Sequence, residues 1–196
     1  NHAIETLKSS GFEVVIRQNK KAPTKKEIIK ELKKNPYVAL VSFLTDTIDK
    51  EVFESCPSIR IVANYAVGFN NIDIEYAKSK GIVVTNTVGT SGEAVAEFTV
   101  ALMVSLLTRL VEGDRFIRAK KYKGWDPYLL LGSNIGGKTI GLIGAGDIGS
   151  RVAKIMSLGF GAKVVYYDIQ RNATLDGLGA EFLSQEEVLK VADIVS

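Results

Sequence analysis

A single cysteine, Cys56, and a single histidine, His2, leave this 196-residue chain little scope for disulfide or metal chemistry. A lone thiol cannot close an intramolecular bridge, and one Cys with one near-terminal His cannot build a structural zinc cluster, so no metal site is expected. Long hydrophobic runs are also missing. The most apolar uncharged stretch, Phe98 to Leu107, lies between Glu97 and Arg109 and falls well short of the roughly 20 residues that cross a bilayer. No basic head followed by an apolar block appears in Asn1 to Ser10, so no secretory signal is expected and the cytoplasm is the default compartment. The chain opens on Asn1 rather than Met, which is compatible with a preceding segment. Charge of one sign is scarce: 25 Lys and Arg against 22 Asp and Glu give +3.

The basic excess is local. Arg17, Lys20, Lys21, Lys25, Lys26, Lys30, Lys33 and Lys34 stand against Glu27 and Glu31 alone, a local +6 that leaves −3 elsewhere. Such a run fits a nucleic-acid patch or a solvated helix face. Thr24 and Glu27 read as a capping box, and Ile28, Ile29 and Leu32 form one apolar stripe, which favours the helix face. Neither nucleic acid nor membrane is an expected partner. With 46% apolar and 24% charged residues the composition is that of a globular protein, not a disordered or fibrous one. The length accommodates one domain or two small ones.

Along the chain, short β-branched runs alternate with amphipathic stretches. Strands are expected at Phe12 to Arg17, Tyr37 to Phe43, Ile59 to Asn64, Ile82 to Thr85, Thr139 to Ile143, Lys163 to Tyr167 and Asp193 to Ser196. Most are continuous apolar runs, as parallel strands covered on both faces require. Helix starts are expected at Thr24, at Thr47, at Thr90 with Glu93, and at Ser184 with Glu187. The helix from Gly92 should run to about Val111, and Glu112 to Gly137 should be a long excursion between two α/β units. The fold class is therefore α/β, with two doubly wound, mostly parallel sheets and a boundary near Thr90.

The segment GLIGAGDIG, Gly141 to Gly149, places Gly144, Gly146 and Gly149 in a G-x-G-x-x-G pattern directly after an apolar run. Gly144 permits a tight turn, Gly146 lets a pyrophosphate reach the backbone, and Gly149 lets the next helix lie close. That helix, Asp147 to Leu158, would aim its free N–H groups, beginning with those of Asp147 and Ile148, at the phosphates. The following strand ends in Asp168, nineteen residues past Gly149. A carboxylate there accepts from both ribose hydroxyls and repels a 2′-phosphate, which favours NAD over NADP; Arg171 nearby would soften that exclusion. Gly132 to Thr139, GSNIGGKT, also matches a nucleotide-triphosphatase phosphate loop, but Lys138 and Thr139 open a strand where that motif needs a helix.

Three passages, NYAVGFNNID (Asn64 to Asp73), AVAE (Ala94 to Glu97) and GLIGAGDIG followed by VVYYD, resemble the D-isomer-specific 2-hydroxyacid dehydrogenases. The resemblance covers nearly the whole chain. It implies two doubly wound domains with an active site in the cleft between them, and hydride transfer between NAD and a small 2-hydroxy or 2-oxo acid of the glyoxylate, hydroxypyruvate or phosphoglycerate type. By that resemblance residues 1–90 are a substrate domain lacking its first strand. Residues 91–196 are a Rossmann domain truncated after its fourth strand, with 91–111 as the interdomain helix and 112–137 as the arm of a homodimer. Ala66, Val67 and Gly68 would bind the substrate carboxylate through backbone N–H groups, Val95 would line the nicotinamide pocket, and Leu44 and Thr45 are weaker candidates on the same side. The catalytic Arg, Glu and His of the family are expected beyond Ser196, and His2 does not match them. Asn70 stands where relatives often carry Asp, and Val88 where they often carry Pro. The other function compatible with this scaffold is an NAD-sensing dimerisation or corepressor module.

Overall fold

A computed structural model describes residues 2–19 and 21–196; Lys20 of the basic run lies outside the described residues. The chain divides into two compact units, Asn1–Val88 and Gly89–Ser196.

The first unit holds α1 (His2–Ser9), α2 (Lys25–Leu32), β1 (Ala39–Phe43), α3 (Lys50–Glu54), β2 (Ile61–Tyr65), α4 (Ile74–Ser79) and β3 (Val83–Thr85). Its three strands are parallel in the order β1-β2-β3. Right-handed crossovers that always step in one direction lay their helices on one face of a sheet. The core accordingly gathers Ile28 and Leu32 of α2, Val52 and Phe53 of α3 and Ala77 of α4 with Ile59 and Val62. On the other face Val41 and Val83 are 58% and 55% exposed within this chain. The capping box on Thr24 forms as read, and Lys25 pairs with Asp49 at 2.6 Å and Lys34 with Glu31 at 2.6 Å, the behaviour of a solvated helix face.

Two expectations fail here for identifiable reasons. Phe12 to Arg17 forms no strand: among the described residues it pairs with no other strand, and an apolar run without a ladder partner gains nothing by extending. The helix expected from Thr47 starts instead at Asp49, whose carboxylate accepts from Val52 N at 3.2 Å. Ile48 is drawn into a parallel bridge with Ile72, donating to Asn71 O and accepting from Asp73 N, both at 2.9 Å.

The second unit holds α5 (Gly92–Leu107), α6 (Leu110–Arg118), β4 (Thr139–Ile143), α7 (Asp147–Lys154) continued by a π-helical turn (Ile155–Gly159), β5 (Lys163–Tyr167), α8 (Ala173–Gly177), β6 (Glu181–Phe182), α9 (Gln185–Val191) and β7 (Ile194–Val195). All strands are parallel in the order β6-β5-β4-β7. The chain steps outward from β4 to β6 and then returns to the other side of β4, so this sheet is doubly wound and its direction reverses at β4. Ligands of open α/β sheets bind outside the strand ends at such a reversal. Ile140, Leu142, Val164 and Tyr166 fill the core with Ala96, Val100 and Met103 of α5, Val152, Ala153 and Met156 of α7 and its π turn, and Leu175 of α8.

The helix expected to reach Val111 ends at Leu107. Its Leu107 carbonyl accepts from Ser133 N at 2.8 Å, and Arg109 turns left-handed at φ 56° before α6 begins. A distant segment therefore takes the acceptor that would have continued the helix, and the first part of the expected excursion is helical. The helix expected to be capped by Thr90 has Ser91 at its N-cap, with no side-chain cap bond. Its start abuts α7, since a Cβ on Gly92 would meet the Asp147 carboxylate. Among the described residues no single helix is long and apolar enough to cross a membrane; α5 and α6 pass such a test only as a pair bent by 63°.

Gly141 sits where α9 crosses β4: a Cβ there would stand 2.7 Å from Ala192 Cβ and 2.8 Å from Val188 Cγ1. Gly141→Ala is expected to destabilise the protein by about 1–3 kcal/mol through overpacking, read as a lower urea midpoint with an unchanged slope.

Candidate functional site

The C-terminal end of β4 is gripped on both sides: Ile143 N donates to Ser196 O and Gly144 N to Tyr167 O, each at 2.8 Å. Gly144 then takes φ +105°, which L side chains rarely adopt. Gly146 is the N-cap of α7, and a Cβ placed on it would meet nothing within 4 Å, so open space lies over its backbone. The third glycine serves the turn itself, because a Cβ on Gly149 would collide with the Gly144 carbonyl oxygen. No side chain caps α7, and among the described residues the N–H groups of Gly146, Asp147 and Ile148 have no protein acceptor. An anion placed there gains those donors and the positive end of the helix dipole, about 0.3–2 kcal/mol for the dipole alone. The Asp147 carboxylate is turned aside to Arg151, whose Nε donates to it at 3.0 Å.

Asp168, at the end of β5, belongs to the same constellation. Its Oδ2 accepts from Ala145 N at 2.7 Å and its Oδ1 from Ile169 N at 2.6 Å. Each oxygen keeps a further lone pair, the capacity needed to receive two vicinal hydroxyls. Arg171 is drawn away, with its Nε donating to Asp176 at 2.7 Å.

One residue absent from the sequence-based candidates organises this loop. Asn172 donates through Nδ2 to Ala145 O at 2.6 Å and Ser150 Oγ at 3.0 Å, while its Oδ1 accepts from Thr174 N at 2.9 Å and caps α8. Its own N–H donates to the buried Tyr166 hydroxyl at 2.9 Å, and that hydroxyl donates to Asp176 at 2.8 Å. Burial above all holds the Tyr166 phenol above its ordinary range, keeping it protonated. The hydrogen bond from Arg171, and then that from Tyr166, hold Asp176 below the usual carboxylate range. Val95 lies on α5 outside the buried set of that helix and is 40% exposed, a side chain left available rather than packed into the core.

In the first unit the turn Ala66–Gly68 follows β2. Its carbonyls are all taken: Ala66 O by Thr87 N at 2.9 Å, Val67 O by Asn86 Nδ2 at 2.7 Å and Gly68 O by Asn64 Nδ2 at 2.8 Å. Among the described residues no peptide bond is cis, and a trans peptide points its N–H away from its carbonyl. The N–H groups of Val67, Gly68 and Phe69 therefore face opposite to those three partners, and among the described residues none has an acceptor. Leu44 borders the turn, its Cδ1 3.8 Å from the Cβ position of Gly68, and the Thr45 hydroxyl lies 3.5 Å from Asp46 Oδ1. Asn64, Asn71 and Asn86 had no assigned role in the sequence. The available signal was register: Ser42 and Asn64 interrupt two apolar strands and face each other across β1 and β2. Among the described residues no group of three His, Cys, Asp or Glu could hold a metal ion.

A parallel sheet reversing at β4, with a glycine turn, an uncapped helix and an acid at the end of the neighbouring strand, defines a Rossmann-type α/β protein. The family model described as D-isomer specific 2-hydroxyacid dehydrogenase, catalytic domain, matches residues 1–196, and the chain belongs to that family. The glyoxylate reductase of Korarchaeum cryptofilum is 44% identical over 187 residues, covering 94% of this chain and 55% of the relative. The crystal structure of the TT0316 protein from Thermus thermophilus superposes with a TM-score of 0.89 at 38% identity, covering 100% of this chain and 60% of that one. The D-lactate dehydrogenase of Aquifex aeolicus, solved with NAD and lactic acid, gives a TM-score of 0.77 at 34% identity over 85% of this chain and 49% of that one. The chain thus spans about half the length of the relatives it matches. The family is NAD(P)-dependent and acts on small 2-hydroxy and 2-oxo acids.

Asn172→Asp keeps an acceptor for the α8 cap but removes the donor to Ala145 O and sets a carboxylate against that carbonyl. It is expected to cost about 1–3 kcal/mol, measured by urea unfolding; an unchanged midpoint would remove Asn172 from this role.

Proposed function

We propose that the protein containing this chain is an NAD-dependent D-2-hydroxyacid dehydrogenase that reduces a small 2-oxo acid of the glyoxylate or hydroxypyruvate type. The observation that carries the reading is the pairing of an uncapped, acceptor-free α7 N-terminus with the Asp168 carboxylate, joined through Ala145 at 2.7 Å. The residues fit a dinucleotide. Gly144, Gly146 and Gly149 shape the turn, the N–H groups of Gly146, Asp147 and Ile148 receive the pyrophosphate, and Asp168 receives the adenosine ribose. Residues 1–90 would form the substrate domain and residues 91–196 the dinucleotide domain.

NAD is favoured over NADP because Asp168 repels a 2′-phosphate and Arg171, three residues further on, is already committed to Asp176. The substrate carboxylate would be received by the outward N–H groups of the Ala66–Gly68 turn, with Leu44 and Thr45 beside it, and Val95 would contribute to the nicotinamide pocket. When bound, the coenzyme supplies the hydride; the residues of this chain orient the two reactants and stabilise their charges. The name glyoxylate reductase, carried by relatives 39–45% identical, supports the substrate class.

The segment 112–137 would serve as the arm of a homodimer. Trp125 and Tyr128 are 82% and 81% exposed, and an apolar surface of this kind gains by burial in an interface.

Steady-state assays of the full-length protein with glyoxylate are expected to show a lower KM for NADH than for NADPH. Asp168→Ser should raise the KM for NADH about tenfold and lower that for NADPH; equal KM values in the unsubstituted protein would refute the coenzyme assignment. Light scattering at micromolar concentration should give the mass of a dimer, and a monomer would refute the role of the arm.

A further inference from the structure

We infer that Asn64 and Asn71 are positioning residues for the substrate carboxylate: they touch no substrate, yet they fix the loop that does. The inference rests on the reading of the Ala66–Gly68 turn as the carboxylate site. Ser42, Asp46 and Asn64 are buried, at 1%, 7% and 2% exposure, and all three belong to one network. Asn64 Oδ1 accepts from Ser42 Oγ at 2.9 Å, and its Nδ2 donates to Gly68 O at 2.8 Å and to Asn71 Oδ1 at 3.1 Å. Asn71 Nδ2 reaches the neighbouring loop, donating to Phe43 O at 3.1 Å and Asp46 O at 3.0 Å. Asp46 Oδ2 closes that loop on itself by accepting from Phe43 N at 2.9 Å.

The network spans two loops that leave adjacent strands at the same end of the sheet, and among the described residues none of its members forms an ion pair. Apolar side chains of matching shape would fill the same space without the desolvation of so many polar atoms. What they could not do is orient peptide planes. Each carbonyl captured on the inner side of the turn turns the following N–H outward, and Asn64 does this for the plane that ends in Phe69. Asn71 in turn holds Asn64 and anchors both to the Phe43–Asp46 loop that carries Leu44 and Thr45. The spacing between the two candidate substrate loops is therefore set by two amides rather than by the sheet alone. An amide suits the task because it donates and accepts at once, whatever the pH.

The test uses full-length protein, with oxalate as a non-reacting dicarboxylate probe and glyoxylate as substrate. In the unsubstituted protein, oxalate should shift the amide NMR resonances of Val67 and Gly68. Failure to do so would overturn the carboxylate site and this inference with it. In Asn71→Ser, the oxalate concentration that half-saturates those shifts and the KM for glyoxylate should both rise about tenfold, while the KM for NADH stays within about twofold. Ser42→Ala, a milder change in the same network, should move both in the same direction by about threefold and keeps the test alive if Asn71→Ser fails to fold. If oxalate shifts the turn in the unsubstituted protein but titrates the folded variants equally well, the positioning role alone is refuted. A parallel rise in the KM for NADH would likewise refute it, as a merely structural effect.

Discussion

The hydrogen bond from Ala145 N–H to the Asp168 carboxylate joins the ends of β4 and β5 into one surface, and much of the second unit is arranged around it. An N–H at the mouth of a buried strand needs an acceptor, and a carboxylate at the end of the next strand supplies one while keeping lone pairs for a ligand. The Ala145 carbonyl in turn accepts from Asn172 and from the Ser150 hydroxyl, and Asn172 carries the tie on to Ser150 and α8. The glycine turn is thus stiffened by side chains from three later segments, while among the described residues the N–H groups at the start of α7 have no protein acceptor.

The first unit solves a related problem by different means. Its turn after β2 has no cap of helix dipole and acid. It directs every carbonyl of Ala66, Val67 and Gly68 inward onto a backbone N–H or an asparagine amide. In both units the donors presented to solvent are backbone groups whose direction is fixed by what their peptide partners do on the other side. Side-chain chemistry enters as support, and asparagine recurs because it can receive and give in the same position.

Much of this was legible in the sequence. The glycine pattern, the strand before it and Asp168 could be read because each depends on near neighbours: a positive φ, an apolar run, a fixed crossover length. The capping boxes at Thr24 and Ser184 formed as read because their partners lie three residues away. The failures share a cause. Phe12 to Arg17 has strand composition but finds no partner strand among the described residues, α5 stops where Ser133 takes the Leu107 carbonyl, and the start expected at Thr47 yields to the bridge between Ile48 and Ile72. The role of Asn172 was illegible because its partners are 22 and 27 residues away.

The sequence by itself determined the parallel α/β class, the position of the glycine turn after β4 and the acid at the end of β5, since local sterics and hydrogen-bond reach decide those. The tertiary structure decided where helices begin and end, which expected strand finds a ladder, and which amides hold the loops in place. Those outcomes depend on which distant group claims a given carbonyl or N–H, and a linear pattern carries no record of that competition.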